Sequence, residues 1–212
     1  MPGNDRDDAS ASGPPQGMRV FLGVKVAPNI SDQLACLAKE LREERVKFVA
    51  PGDIHLTLVP PWNETSIDEA IAKMRSIVSK FGEFALGLKH LNYGPEAKRP
   101  RLLWAECAAP DELNALRDAL LHLFDQSDDR PFRPHVTLAR LRGNGAAIAR
   151  RHPIDRALSF TQQVKSVEFF RSPPAGATGY QILASAPLAE RAPPASGVEA
   201  SPLTWNSERG LA

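Results

Sequence analysis

Cysteine is scarce in this 212-residue chain, with only Cys36 and Cys107, each inside an apolar periodic segment. Neither a disulfide framework nor a cysteine-based zinc site is expected, and a reducing, cytoplasmic setting fits. Excess charge is lacking too. Lys and Arg number 26 against 25 Asp and Glu, so affinity for a polyanion must come from a local patch rather than an overall field. No run approaches the roughly 18 apolar residues of a membrane span. The N-terminus, carrying Asp5, Asp7 and Asp8, lacks the basic-then-apolar order of a secretory signal. His-Glu-x-x-His, Gly-x-Ser-x-Gly and the P-loop signature are all missing, so a zinc hydrolase, the common serine hydrolase and a P-loop enzyme are not expected, and no metal or cofactor is read from the sequence. Gly143-Asn144-Gly145 begins a dinucleotide fingerprint, but Ile148 stands where its third glycine belongs, and a loop turn is expected there.

A hydrophobic fraction of 42% suffices for a core. Residues 1–17 and 190–212 are rich in Pro, Ser, Gly and Ala, and are expected to be flexible tails, with Trp205 an exposed aromatic. Residues 18–189 form the expected body. Strands are predicted over 18–26, 46–49, 55–59, 84–91, 102–107, 135–141, 160–170 and 180–184. Apolar spacings of three and four predict helices from Pro28 to Leu41, Ser66 to Lys80 and Asp111 to about Phe124. The strands lack the long buried runs of a doubly wound sheet, so the class is α+β.

The body repeats itself. Arg19-Val-Phe-Leu-Gly-Val-Lys-Val-Ala-Pro28 is answered by Arg101-Leu-Leu-Trp-Ala-Glu-Cys-Ala-Ala-Pro110. Each is followed by an amphipathic helix and then by His-x-Thr-Leu: His55-Leu56-Thr57-Leu58 and His135-Val136-Thr137-Leu138. A strand turns alternate side chains to opposite faces, so each His shares a face with its Thr while the aliphatic residues pack inward. Two lobes related by a pseudo-twofold would bring two imidazoles and two hydroxyls to one cleft. That set suits a phosphodiester: one imidazole takes a proton from water, the other gives one to the departing oxygen. Thr57 and Thr137 would donate to non-bridging phosphate oxygens. Arg140 stands three residues beyond Thr137, an odd offset, and reaches the cleft only if the strand bends. His90, His122 and His152 lack the Thr partner and are expected at the surface or behind the site. Seven arginines between Arg130 and Arg156 could be a solvated face or a cradle for a nucleic-acid end, as could Lys98, Arg99 and Arg101.

With its two His-x-Thr motifs 80 residues apart, the chain resembles the 2H phosphoesterase superfamily. Phe132-Arg-Pro-His-Val-Thr-Leu-Ala-Arg140 is most similar to the second motif of the RNA 2′,3′-cyclic phosphodiesterases, long called 2′-5′ RNA ligases. The likeness runs from Arg19-Val-Phe-Leu to Glu168-Phe-Phe-Arg-Ser172 and Gly179-Tyr180. It implies a bilobal fold of two mostly antiparallel sheets flanked by helices, with a central cleft. It also implies a metal-independent opening of a terminal 2′,3′-cyclic phosphate to a 2′-phosphate, with reversible 2′-5′ ligation as a possible companion activity. His55 would protonate the leaving O3′ and His135 would activate water; Thr57, Thr137 and Arg140 would hold the phosphate. The implied partners are RNA 3′ ends or small nucleotides bearing a 2′,3′-cyclic phosphate, no membrane is involved, and a monomer is expected. Two other readings stand beside this one: another small cyclic or 2′-5′-linked nucleotide as substrate, and a non-catalytic RNA-binding protein. The chain departs from the family in carrying Val59-Pro60-Pro61-Trp62 after the first motif and Phe48 where a Trp is common. Trp62 is expected packed in a rigid proline loop rather than stacked on a base.

Overall fold

The computed structural model describes residues 17–128, 130–174 and 177–190. Apart from Gly17 and Glu190, both expected tails, with Trp205, lie outside the described residues. Among the described residues nine strands and four α-helices follow one another: β1 (Met18–Lys25), α1 (Pro28–Ala38), β2 (Val46–Phe48), β3 (His55–Glu64), α2 (Ile67–Val78), β4 (Phe84–Gly94), β5 (Leu102–Cys107), α3 (Asp111–Leu123), β6 (His135–Leu141), α4 (Gly145–Arg151), β7 (Arg156–Val164), β8 (Ser166–Arg171) and β9 (Gln181–Pro187). No helix among the described residues is long and apolar enough to cross a membrane.

The strands run β7-β4-β5-β6-β3-β1-β8-β9, all neighbours antiparallel, with β2 pairing β6. The two expected sheets are therefore two four-stranded halves of one ladder. A single partner pair, Leu56 and Val136, joins them. Each of these residues directly follows its motif histidine, so the pseudo-twofold passes between β3 and β6. Across it β1 corresponds to β5, β8 to β4 and β9 to β7. The helices obey it too: α1, which follows β1, reaches over to β6, and α3, which follows β5, packs on β3. Leu56, Leu58, Val136 and Leu138 are buried on that helix-covered side, where removing apolar area from water supplies roughly 25 cal/mol per Å². Their burial leaves the alternate residues facing the hollow of the curled sheet.

Three sequence expectations change. The strand predicted over 160–170 is broken at Lys165 into β7 and β8, which join opposite halves of the sheet. No Gly, Pro or Asn marks the break. The glycine-rich 143–145 stretch opens a helix: Gly143 takes φ +94°, and the Asn144 side chain accepts from the Ala147 N–H at 3.0 Å, capping α4. Lastly, Val59-Pro60-Pro61-Trp62 is strand, not loop. The prolines fall where the β1–β3 register slips, between the Leu22–Val59 and Val20–Trp62 pairs, so their missing N–H groups cost little of the ladder.

Candidate active site

The join between the halves sets the site. Continued on either side of Leu56 and Val136, the antiparallel register sets His55 opposite Thr137 and Thr57 opposite His135, so the two histidines lie diagonally across the join. All four side chains stand on the concave face and are half-buried. Both imidazoles are held in the same way. His55 Nδ1–H donates to the Asp53 carbonyl at 2.6 Å, and His135 Nδ1–H donates to the Arg133 carbonyl at 2.7 Å. A carbonyl can only accept, so Nδ1 carries a proton in both rings, and Nε2 is the atom left free to exchange one.

Arg140 joins them through a β-bulge. On β6, Ala139 pairs with Leu103 and Thr137 with Trp104, so Leu138 is an extra residue. Leu138 and Ala139 are consecutive buried residues, and the alternation inverts between them. The odd offset from Thr137 thereby becomes an even one, and Arg140 returns to the His/Thr face. The same bulge occurs on β3, with Leu58 the extra residue between the Thr57–Gly23 and Val59–Leu22 pairs. There the position corresponding to Arg140 is Pro60, so β3 supplies no second guanidinium to match it. Its charge reaches both imidazoles and lowers the pKa of each.

Burial is the main reason both rings lie below the ordinary histidine value of 6.5; the hydrogen bonds to Asp53 and Arg133 act in the opposite sense. Beyond these shared features the two environments diverge. His55 packs against Phe21, Tyr180 and Phe170, with ring centroids 4.8, 5.0 and 5.3 Å away. His135 lies 4.3 Å from the Trp104 ring, and its strand partner is Glu106, whose carboxylate favours the imidazolium. The corresponding partner of His55 is Lys25. Trp104 and Glu106 were not singled out from sequence as site residues. The strand register points to them, and it lies one residue off the alignment made on the two Ala-Pro dipeptides.

Trp104 is itself positioned. Its Nε1–H donates to Asn92 Oδ1 at 2.5 Å, and its indole lies over Gly94, where a Cβ would overlap the ring. Gly94→Ala should therefore displace the indole from beneath His135 and cost about 1–3 kcal/mol by overpacking. Urea unfolding checks the stability, and a wild-type midpoint would contradict the contact.

The other candidates disperse. Trp62 packs on the helix-covered side against Phe124 and Phe169, its Nε1–H donating to Glu64, so it faces no base. His152 bonds Glu44, His90 pairs with Asp155, and His122 lies in the last turn of α3. Much of the arginine run serves the fold: Arg151 is bidentate to Glu44, Arg156 pairs with Glu40, and Arg130 pairs with Asp128. Arg133 donates to the Pro95 carbonyl. Cys36 and Cys107 are free thiols; burial pushes that of Cys107 up to about 12.

Comparison with known proteins gives a consistent picture. The family model of the 2'-5' RNA ligase superfamily matches residues 28–173. The RNA 2',3'-cyclic phosphodiesterase of Bacillus subtilis is 30% identical over 127 residues, 57% of this chain and 69% of the relative. Among solved structures, TT0787 of Thermus thermophilus superposes with a TM-score of 0.70 at 21% identity, covering 82% of this chain and 100% of that one. E. coli LigT complexed with 3'-AMP gives 0.65 at 23% identity, covering 82% and 99%. At these identities the two structures speak for the fold.

Proposed function

The chain belongs to the 2'-5' RNA ligase superfamily, and from that premise we propose that it is an RNA 2′,3′-cyclic phosphodiesterase acting through His55 and His135. The observation that carries the reading is the matched pair of imidazoles, each with Nδ1–H tied to a carbonyl two residues back and Nε2 free, on the face that Arg140 also reaches. Water attacks the phosphorus of the terminal cyclic phosphate and gives its proton to His135 Nε2. The P–O3′ bond breaks, and His55 Nε2–H protonates the departing O3′, leaving a 2′-phosphate and a free 3′-hydroxyl. Glu106, facing His135, stabilises the imidazolium formed there. Thr57, Thr137 and Arg140 hold the non-bridging oxygens as negative charge develops. A 5′-hydroxyl in place of water, giving its proton to the same nitrogen, would produce a 2′-5′ linkage.

The test is hydrolysis of a 2′,3′-cyclic nucleotide in EDTA across a pH series. One imidazole must be neutral and the other protonated, which gives a bell. Both rings lie below 6.5 in the unliganded protein, so both limbs of kcat/KM, and hence its maximum, should fall on the acid side of that value. A bound anion favours both imidazolium forms, so the kcat bell should lie alkaline of the kcat/KM bell. Loss of turnover in EDTA that a divalent ion restores would sink the two-histidine mechanism. Absence of turnover under every condition would leave RNA binding as the reading.

A further inference from the structure

A cavity of about 830 Å³ opens next to the residues that hold His55 and runs along β2, which among the described residues pairs with β6 alone. Its inner end is shared with the site: Arg140, Tyr180, whose ring packs on His55, and Asp53, whose carbonyl orients that imidazole. Its outer part holds Lys47, Phe48 and, from the end of α1, Lys39. Lys47 is the strand partner of Arg140, so the two cations stand side by side on neighbouring strands, about 4.8 Å apart in backbone. Phe48 is 40% exposed, unusual for a Phe in a fold with this much buried aliphatic surface.

The charges here are left over. Arg130, Arg151 and Arg156 are neutralised by carboxylates, whereas Lys39, Lys47 and Arg140 have no ion-pair partner among the described residues. Two acids line the same cavity. Asp32 and Asp53, the latter also accepting the Tyr180 N–H at 2.9 Å, stand against three cations, so one positive charge is in excess. An apolar trough with an exposed ring and surplus positive charge, continuous with a phosphate site, fits a single-stranded nucleotide chain.

We propose that this trough binds the nucleotide 5′ to the cyclic phosphate, with its phosphodiester on Lys39 and Lys47 and its apolar surface on Phe48. The protein then prefers an oligonucleotide end to a mononucleotide. This rests on the phosphodiesterase reading and adds to it two cations that act on binding alone.

The experiment compares 2′,3′-cyclic AMP with an adenylyl dinucleotide ending in the same cyclic phosphate. Wild type, Lys39→Gln/Lys47→Gln and a chain ending at Glu190 are assayed over a salt series. For wild type, log kcat/KM should fall more steeply with log salt on the dinucleotide than on the mononucleotide, by roughly 0.7 for one further phosphate on a single strand. The double substitution should abolish that difference. It should also lower the dinucleotide-to-mononucleotide ratio about tenfold, the size of one charge-assisted contact. Equal salt slopes for the two substrates in wild type overturn the proposal, as does a ratio unchanged in the double variant, while the site chemistry stands. If truncation raises dinucleotide turnover and the lysine substitutions do nothing, the trough belongs to the chain's own C-terminal segment, and the proposal falls. Wild type inert on both substrates defeats the phosphodiesterase reading and this one together.

Discussion

Alanine at His55 or His135 is expected to lower turnover of a 2′,3′-cyclic nucleotide by about 10²–10⁴-fold each, the usual worth of a positioned proton donor or acceptor. Folding should survive. Each ring lies on the concave face, while the aliphatic residues on the opposite face of its strand, Leu56 and Leu58 or Val136 and Leu138, carry the core contacts. Circular dichroism and melting temperature check that point. The two losses should differ on an activated diester such as bis(4-nitrophenyl) phosphate, whose leaving phenolate hardly needs a proton. His55→Ala should regain much of its rate there, because His55 serves the leaving group. His135→Ala should not, because water still requires a base and Glu106, one strand away, supports an imidazolium that no longer exists. Rescue of His135→Ala instead would exchange the roles. Wild-type turnover in both variants would end the enzymatic reading.

The two motifs were legible because strand alternation is a strict rule: His and Thr two apart must share a face, and a repeat of the same order of elements supplies the second copy. The helices were legible from apolar spacing, and α1, α2 and α3 start within a residue of where it puts them. What escaped depends on partners distant in sequence. Trp104 and Glu106 stand beside Thr137 and His135 only through β5–β6 register, and nothing local in Leu102–Cys107 announces it. The β7–β8 break at Lys165 was hidden because each side is a good strand on its own and no Gly, Pro or Asn marks the break. The prolines after the first motif misled in the opposite direction. They read as a loop signal, yet β3 tolerates them at a register slip. The bulge was half visible, since Leu58-Val59 and Leu138-Ala139 are apolar doublets at equivalent positions, and two adjacent inward residues cannot both lie on one face of a regular strand.

That doublet governs the second large effect, the one expected at Arg140. Arg140→Ala should lower kcat by about 10²–10³-fold, as when one preorganised donor to a developing oxyanion is removed. A rate loss alone would not show where the guanidinium points, so the pH profile decides. Arg140 lowers the pKa of both imidazoles. Its removal raises both, so the kcat/KM bell should move to the alkaline side even as its height falls. Arg140→Lys keeps the charge and should keep the wild-type profile, but it loses the planar fork that can grip two phosphate oxygens, so its rate should lie between those of wild type and alanine. Deleting Leu138 supplies a stricter geometric test. Removal of the extra residue restores simple alternation, so Arg140 would turn from the cleft and the arginine would be present without being used. If such a variant is folded, its pH profile should match that of Arg140→Ala. An Arg140→Ala bell that keeps its wild-type position would mean that the guanidinium lies outside the cleft and that the bulge serves the sheet alone.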